Sequence, residues 1–176
     1  MNRLLIALAL AAPAAAFAGK AHQHGVARLD IGADPGKLVI AFETPLDNLL
    51  GFERAPRNDA ERKRAADAVA KLKDGAALFR IDPAAACTLA SVELNSTPLK
   101  LGSGAAGGKD DGKNDDHGDL DAEYTFNCAG SPAGHVEIAL FEAFPRLQRL
   151  SVQAATAKGQ ASQTLRRPAK RIELRR

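Results

Sequence analysis

The two cysteines of this 176-residue chain, Cys87 and Cys128, constrain its fold most, because a bond between them would join two distant segments. The N-terminus predicts export from the cytoplasm. Arg3 precedes an apolar run over residues 4–12 that is too short to span a bilayer, and residues 16–18 read Ala-Phe-Ala, a small-residue cleavage site. Since exported cysteines are expected to be oxidised, we predict a Cys87–Cys128 disulfide. It would stabilise the fold by roughly 4 kcal/mol on the chain-entropy model.

The predicted signal peptide covers residues 1–18 and leaves residues 19–176, a length typical of one domain. After cleavage we expect no stable membrane insertion. The formal net charge is only +3 and both signs are mixed along the chain, so a nucleic-acid partner is not expected. The basic tail over residues 166–176 is interpreted as the charged flanks of a last strand.

Two of the four histidines, His22 and His24, lie close behind the predicted cleavage site. In an extended backbone, residues two positions apart project to the same side, so both imidazoles can be directed at one metal ion. Imidazole is the commonest protein ligand for transition metals, and zinc is the first candidate. Cleavage after Gly19 instead would place His22 third behind a free amine, which suits square-planar copper or nickel. The alternative for the whole segment is a solvated polar tag.

Alternating apolar residues and turn signals predict an α+β fold, in which one main helix accompanies a mostly antiparallel sheet of about seven or eight strands. The first two strands are expected to form a hairpin around residues 33–36, with the second strand central. Asn58 is predicted to cap the helix. The buried face of this helix is predicted to contain Ala65, Val69, Leu72 and Ala76. The helix is predicted to end at Gly75. The strands are predicted at residues 26–31, 38–42, 88–95, 119–128, 136–140, 150–154, 161–165 and 172–174.

Residues 102–119 contain six glycines, five aspartates and no large apolar side chain, a composition that cannot pack into a core. We predict a long flexible loop there. If the strands on either side of it pair antiparallel, their far ends bring the two cysteines together. His117 lies near the end of this loop, between Asp116 and Asp119.

Several motifs together resemble the ZrgA-like family of periplasmic zinc-binding proteins. They are residues 22–27 (HQHGVA), 43–45 (ETP), 48–56 (NLLGFERAP), 123–128 (EYTFNC) and 140–145 (LFEAFP). The resemblance runs in one order over nearly the whole mature chain. It implies a periplasmic zinc-binding protein that assists zinc uptake or delivers zinc to an inner-membrane zinc ABC transporter.

The resemblance also implies one Zn²⁺ site. Three imidazoles with one carboxylate or water would complete the tetrahedral coordination of zinc. The predicted loop would become ordered as the metal binds. The ligands carried over from the family are His22, His24 and His117, with Asp116 and Asp119 as carboxylates. The chain departs from the family at Arg54, where histidine is usual, and arginine cannot bind zinc. Glu53 is a weaker candidate ligand and is interpreted as a capping or ion-pairing carboxylate. His135 is interpreted as a structural or exposed histidine.

Two other functions are weighed against zinc binding. The chain has no Gly-x-Ser-x-Gly elbow, no His-Glu-x-x-His helix and no glycine-rich phosphate loop, so we predict that it is not an enzyme. The alternative is a metal-independent periplasmic interaction module that has lost part of the metal site. Arg54 and the scarcity of histidine in the predicted loop favour that alternative.

Overall fold

A computed structural model of the protein describes residues 23–102 and 118–174. The predicted signal peptide and most of the predicted loop therefore lie outside the described residues. The described ranges contain nine strands: β1 (Val26–Asp34), β2 (Lys37–Pro45), β3 (Phe79–Ile81), β4 (Cys87–Asn95), β5 (Asp119–Cys128), β6 (His135–Ile138), β7 (Arg149–Thr156), β8 (Gly159–Arg166) and β9 (Arg171–Glu173). The helices of the same ranges are α1 (Leu46–Leu50), α2 (Asp59–Lys73), α3 (Gly75–Leu78) and α4 (Leu140–Ala143). None of these helices is long and apolar enough to cross a membrane.

Six strands form the larger sheet, in the order β4-β5-β2-β1-β7-β8. β1 and β2 form the predicted hairpin, which turns at Gly36 with a φ of +83°, a conformation that glycine adopts without strain. All neighbours in this sheet are antiparallel except β1 and β7, which run parallel. β2 is central, as its run of apolar residues predicts.

The larger sheet is buried on one face. Along β1, β2, β5 and β7, buried residues alternate with more exposed ones, as expected where a second layer covers one side. Helix α2 and a smaller sheet, ordered β3-β6-β9, form that layer. Leu72, Phe79 and Val136 of this layer pack in one buried cluster with Ile40 and Tyr124 of the larger sheet. The fold is therefore α+β, as predicted.

Cys87 and Cys128 form the predicted disulfide. The two residues are directly opposed in the antiparallel pair of β4 and β5. They lie at the end of these strands that is remote from the predicted loop, so the bond fastens an edge strand to its neighbour.

The structure differs from the sequence prediction in its strand count, in the end of β6, and in the buried stripe and end of α2. Leu140, predicted in a strand, begins α4, because the Phe144 N–H donates to its carbonyl. Gly75, predicted to end the main helix, begins α3. The ninth strand is β3, whose three residues are too few for an alternating pattern to show. The prediction for Ala76 is wrong, because α2 ends at Lys73 and Ala76 is exposed. The Asp74 side chain accepts the N–H of Ala77 and so begins α3, which takes Ala76 out of the α2 stripe.

Candidate metal centre

Two of the five predicted metal ligands lie in the described part of the chain. His24 lies two residues before β1, and Asp119 is the first residue of β5. His22, Asp116 and His117 lie outside the described residues. The geometry of the site therefore rests on His24 and the side chains around it.

A tight turn carries His24. The Val26 N–H donates to the Gln23 carbonyl over 3.1 Å, and Gly25 has a φ of +78°. The Gly25 carbonyl in turn accepts the N–H of Arg149 over 2.9 Å, which fastens the turn to the start of β7. His24 thus lies in a turn just before β1, and the shared direction of the His22 and His24 side chains stays a prediction, because His22 lies outside the described residues.

Asn48 of α1 holds this turn from inside the protein. The residue is only 1% exposed. Its Oδ1 accepts the Gly25 N–H over 2.6 Å, and its Nδ2 donates to the Val26 carbonyl over 2.8 Å and to the Thr44 hydroxyl over 3.0 Å. These three bonds satisfy an amide that would be costly to bury unpaired. Asn48 therefore sets the position of the backbone directly after His24.

The His24 imidazole lies between two carboxylates. Its Nε2 is 3.2 Å from Glu53 Oε1, and its Nδ1 is 3.7 Å from Asp47 Oδ2. The His24 side chain is 65% exposed, whereas those of Glu53 and Asp47 are 14% and 11% exposed. A carboxylate that is shielded from water requires a positive partner. The arrangement therefore suits a metal cation bound between His24 and Glu53.

Arg146 already neutralises one of these carboxylates. Its Nη2 donates to both oxygens of Asp47 over 2.9 Å, and its Nε donates to the Asp47 carbonyl over 2.8 Å. Gly51 ends α1 beside this guanidinium with a φ of +83°, a conformation that favours glycine. Because Glu53 Oε1 lies closer to the His24 imidazole than Asp47 Oδ2 does, at 3.2 Å against 3.7 Å, Glu53 is the better candidate for a metal ligand.

The end of the predicted loop reaches the main chain of Glu53. Gly118, the first described residue after the gap, is buried, and its carbonyl accepts the Leu46 N–H over 2.9 Å. A Cβ on Gly118 would lie 2.2 Å from the Glu53 carbonyl oxygen, so no larger residue fits without a backbone shift. The fold therefore brings the residue that follows His117 to the segment that carries Glu53.

Asp119 lies beside the site without contacting His24. It is paired with Pro45 in the register of β5 and β2, and its carbonyl accepts the Ser96 hydroxyl over 2.9 Å. Within residues 23–102 and 118–174, no ion pair joins Asp119 to His24. Its role as a zinc ligand stays a prediction.

Arg54, at the position where the family resemblance leads us to expect histidine, fixes the start of α2. Its Nη1 and Nη2 donate to Glu61 over 2.8 and 3.0 Å, and its Cζ lies 5.1 Å from the centroid of the Phe52 ring. Glu61 also accepts the Arg57 N–H over 2.7 Å, while its own N–H donates to the side chain of Asn58. The hydrogen bond from Arg54 is the main cause that lowers the pKa of Glu61 to about 2.

The donor atoms of His24 and Glu53 suit zinc in type and spacing. Zinc binds imidazole nitrogen and carboxylate oxygen at about 2.0–2.1 Å, so two ligands of a tetrahedral ion lie roughly 3.3 Å apart. The separation of 3.2 Å between His24 Nε2 and Glu53 Oε1 matches that spacing. Asp47 lies beside Nδ1 of His24, whereas Glu53 lies beside Nε2, so a single ion bound to one ring nitrogen cannot reach both carboxylates.

Accordingly, no group of three His, Cys, Asp or Glu side chains among the described residues could hold a metal. A complete site needs further ligands.

Sequence reasoning missed Asp47 and Asn48, although a signal was present. These two polar residues interrupt the apolar run of Leu46, Leu49 and Leu50 in a helix of five residues, and both are buried. Buried polar side chains are almost always hydrogen-bonded. Polar residues within a short apolar helix therefore indicate that their side chains form hydrogen bonds to another segment of the chain.

Comparison with protein families matches residues 21–174 to the family described as ZrgA family zinc uptake protein. The match extends over both described ranges and over the predicted loop between them. No curated protein matches the chain.

Proposed function

The chain belongs to the ZrgA family of zinc uptake proteins, and we propose that it is a periplasmic zinc-binding protein. In this role it assists zinc uptake or delivers zinc to an inner-membrane zinc ABC transporter. The observation that supports the proposal most is the 3.2 Å separation between His24 Nε2 and Glu53 Oε1. It offers an exposed nitrogen donor and a shielded oxygen donor at the spacing that tetrahedral zinc requires.

His22 and His117 complete the coordination in this proposal. Peptide connectivity keeps His22 two residues from His24, and it keeps His117 next to Gly118, which lies against the main chain of Glu53. Three imidazoles and one carboxylate satisfy a tetrahedral zinc ion. The site would thus join the N-terminal segment, the segment after α1 and the predicted loop.

Release of zinc is part of the proposed role. His24 is mostly exposed, and neither it nor Glu53 belongs to the buried cluster between the two sheets. Zinc can therefore leave without disturbing the packing of the core. Asp116 and Asp119 remain predicted as further carboxylate ligands.

A metal-independent interaction module is the second candidate. The ion pair of Arg54 with Glu61 favours it, because a structural arginine fills the position where a histidine ligand is expected. A ligand that binds only the folded state raises the melting temperature as its concentration exceeds the Kd. Zinc-dependent thermal stabilisation therefore supports zinc binding, and its absence supports the module. We also propose that the protein is not an enzyme, which hydrolysis of a generic ester by the purified chain would contradict.

Calorimetric titration with zinc chloride tests the proposal on the chain exported to, and purified from, a bacterial periplasm. The comparison includes a His22→Ala/His24→Ala double variant, a Glu53→Gln variant and His135→Ala, a histidine control in the smaller sheet. We expect stoichiometric binding with a Kd below about 1 µM for the wild type and the control. Binding should be lost in the double variant and weakened at least roughly tenfold in Glu53→Gln. Equally weak binding by all four proteins would rule out this site.

A further inference from the structure

The two edges of the larger sheet are protected to different degrees. An exposed edge strand can pair with other strands, and a bulge or an exposed charge protects it against this. β4 has both: a register shift between Leu89 and Ser91, and the exposed Glu93. This edge is therefore unsuited to pairing.

β8, at the opposite edge, has none of these protections. Its register with β7 is unbroken from Gly159 to Arg166, and it contains no proline and no charged residue before Arg166. Alternate residues of an antiparallel strand turn their N–H and C=O groups away from the neighbour. Among the described segments, no backbone other than that of β7 hydrogen-bonds the backbone of β8 between Gln160 and Leu165, so its outer side offers a hydrogen-bonding edge.

We propose that β8 pairs antiparallel with β8 of a second copy of this chain, about a two-fold axis through Gln163. Such an axis is perpendicular to the sheet. It places the inner faces of both copies on one side of the joined sheet and their outer faces on the other. Ala161 then lies opposite Leu165 of the second copy on the inner face. On the outer face, Ser162 lies opposite Thr164. The two larger sheets become one continuous sheet.

The sequence of β8 is complementary to itself in this register. Apolar residues face apolar residues, hydroxyl side chains face each other, and Arg166 faces the neutral Gln160, so no like charges are opposed. With the axis moved one residue to Ser162, Leu165 would face Gly159 and lose its apolar partner. One strand pair buries little surface, so the expected dimer is reversible, with a Kd on the order of 10–100 µM.

A charge-swap experiment tests this interface by sedimentation velocity over a concentration series of the exported, purified chain. The variants are Ser162→Lys/Thr164→Lys and Ser162→Glu/Thr164→Glu. Both positions are exposed, so pairing with β7 is preserved, while like charges become opposed across the axis. We expect the wild type to dimerise and the Kd of each variant alone to rise at least roughly tenfold. An equimolar mixture of the two variants should associate again as a heterodimer.

The double variant Thr88→Lys/Ala90→Lys on β4 is the matched control and should dimerise like the wild type.

Three results would overturn the proposal: a wild type that stays monomeric at the highest concentration reached, variants that associate like the wild type, and a lysine–glutamate mixture that stays monomeric. Association of the mixture shows that both variants are folded. All samples contain EDTA, so the outcome is independent of the proposed zinc site.

Discussion

Asn48 is the residue on which the geometry around His24 depends most. Its buried amide joins α1 to the backbone of Gly25 and Val26, and so connects the turn before β1 to the segment that carries Asp47. Its side chain contacts neither His24 nor Asp119, the two predicted metal ligands among the described residues. It is a positioning residue, whose effect on zinc binding would act through the backbone.

Replacing Asn48 with alanine should therefore weaken both the fold and zinc binding. The Gly25 N–H and the Val26 carbonyl would lose their partner, and we expect the free energy of unfolding to fall by about 2–3 kcal/mol. Urea unfolding and zinc titration of the same samples measure the two effects. Asn127→Ala, at an exposed position of β5, is the matched control and should change stability by less than about 0.5 kcal/mol. Unchanged zinc affinity in the Asn48 variant would contradict a positioning role.

The chemistry at His24 could be predicted from the sequence only in part. An imidazole next to the first strand is visible in the sequence, and its place before β1 is confirmed. The two carboxylates beside it are not visible as partners, because Asp47 and Glu53 are more than twenty residues further along. They reach His24 only through the hydrogen bonds of α1 with the turn.

The start of α2 is held by an ion pair that depends on pH. Arg54 and the Arg57 N–H both donate to Glu61, and the bond from Arg54 is the main reason that the pKa of Glu61 falls from 4.5 to about 2. A carboxylate with a lowered pKa in the folded state stabilises the fold above its unfolded pKa. That contribution is lost as the pH falls through the folded pKa.

The variant Glu61→Gln should accordingly unfold at a lower temperature than the wild type at neutral pH. The difference between the two should shrink between pH 4.5 and about pH 2, because the unfolded chain binds a proton at Glu61 over that range, whereas the folded protein does so only near pH 2. Thermal unfolding followed by circular dichroism at a series of pH values measures it. A difference that stays constant down to about pH 2 would show that the ionised pair does not stabilise α2.

Elements with a strong local pattern could be predicted well, and their pairing less so. The predicted bounds of β5, residues 119–128, are those of the structure, because buried and exposed residues alternate along its whole length. The parallel pairing of β1 with β7 was not predicted. Alternation shows which face of a strand is buried, and it does not identify the neighbouring strand. The disulfide was predictable because an exported chain with two cysteines allows one pairing.

At the scale of the whole molecule, the predicted site and the proposed interface lie on different parts of the larger sheet. His24 lies in the turn before β1 and contacts Glu53 of the segment after α1, whereas β8 forms one edge. The core between the sheets supplies no ligand to the proposed site. We therefore expect zinc binding to depend on the segments that meet at Glu53 and to leave the packing of the sheets unchanged.

X-ray absorption at the zinc edge of the zinc-loaded chain distinguishes a site built on His24 and Glu53 from zinc bound elsewhere. We expect a four-coordinate ion with imidazole nitrogen and carboxylate oxygen at about 2.0–2.1 Å. The imidazole scattering should be reduced in His22→Ala/His24→Ala, and the oxygen contribution should change in Glu53→Gln. A spectrum without imidazole scattering, or one that is identical in the wild type and these variants, would contradict a zinc site built on His24 and Glu53.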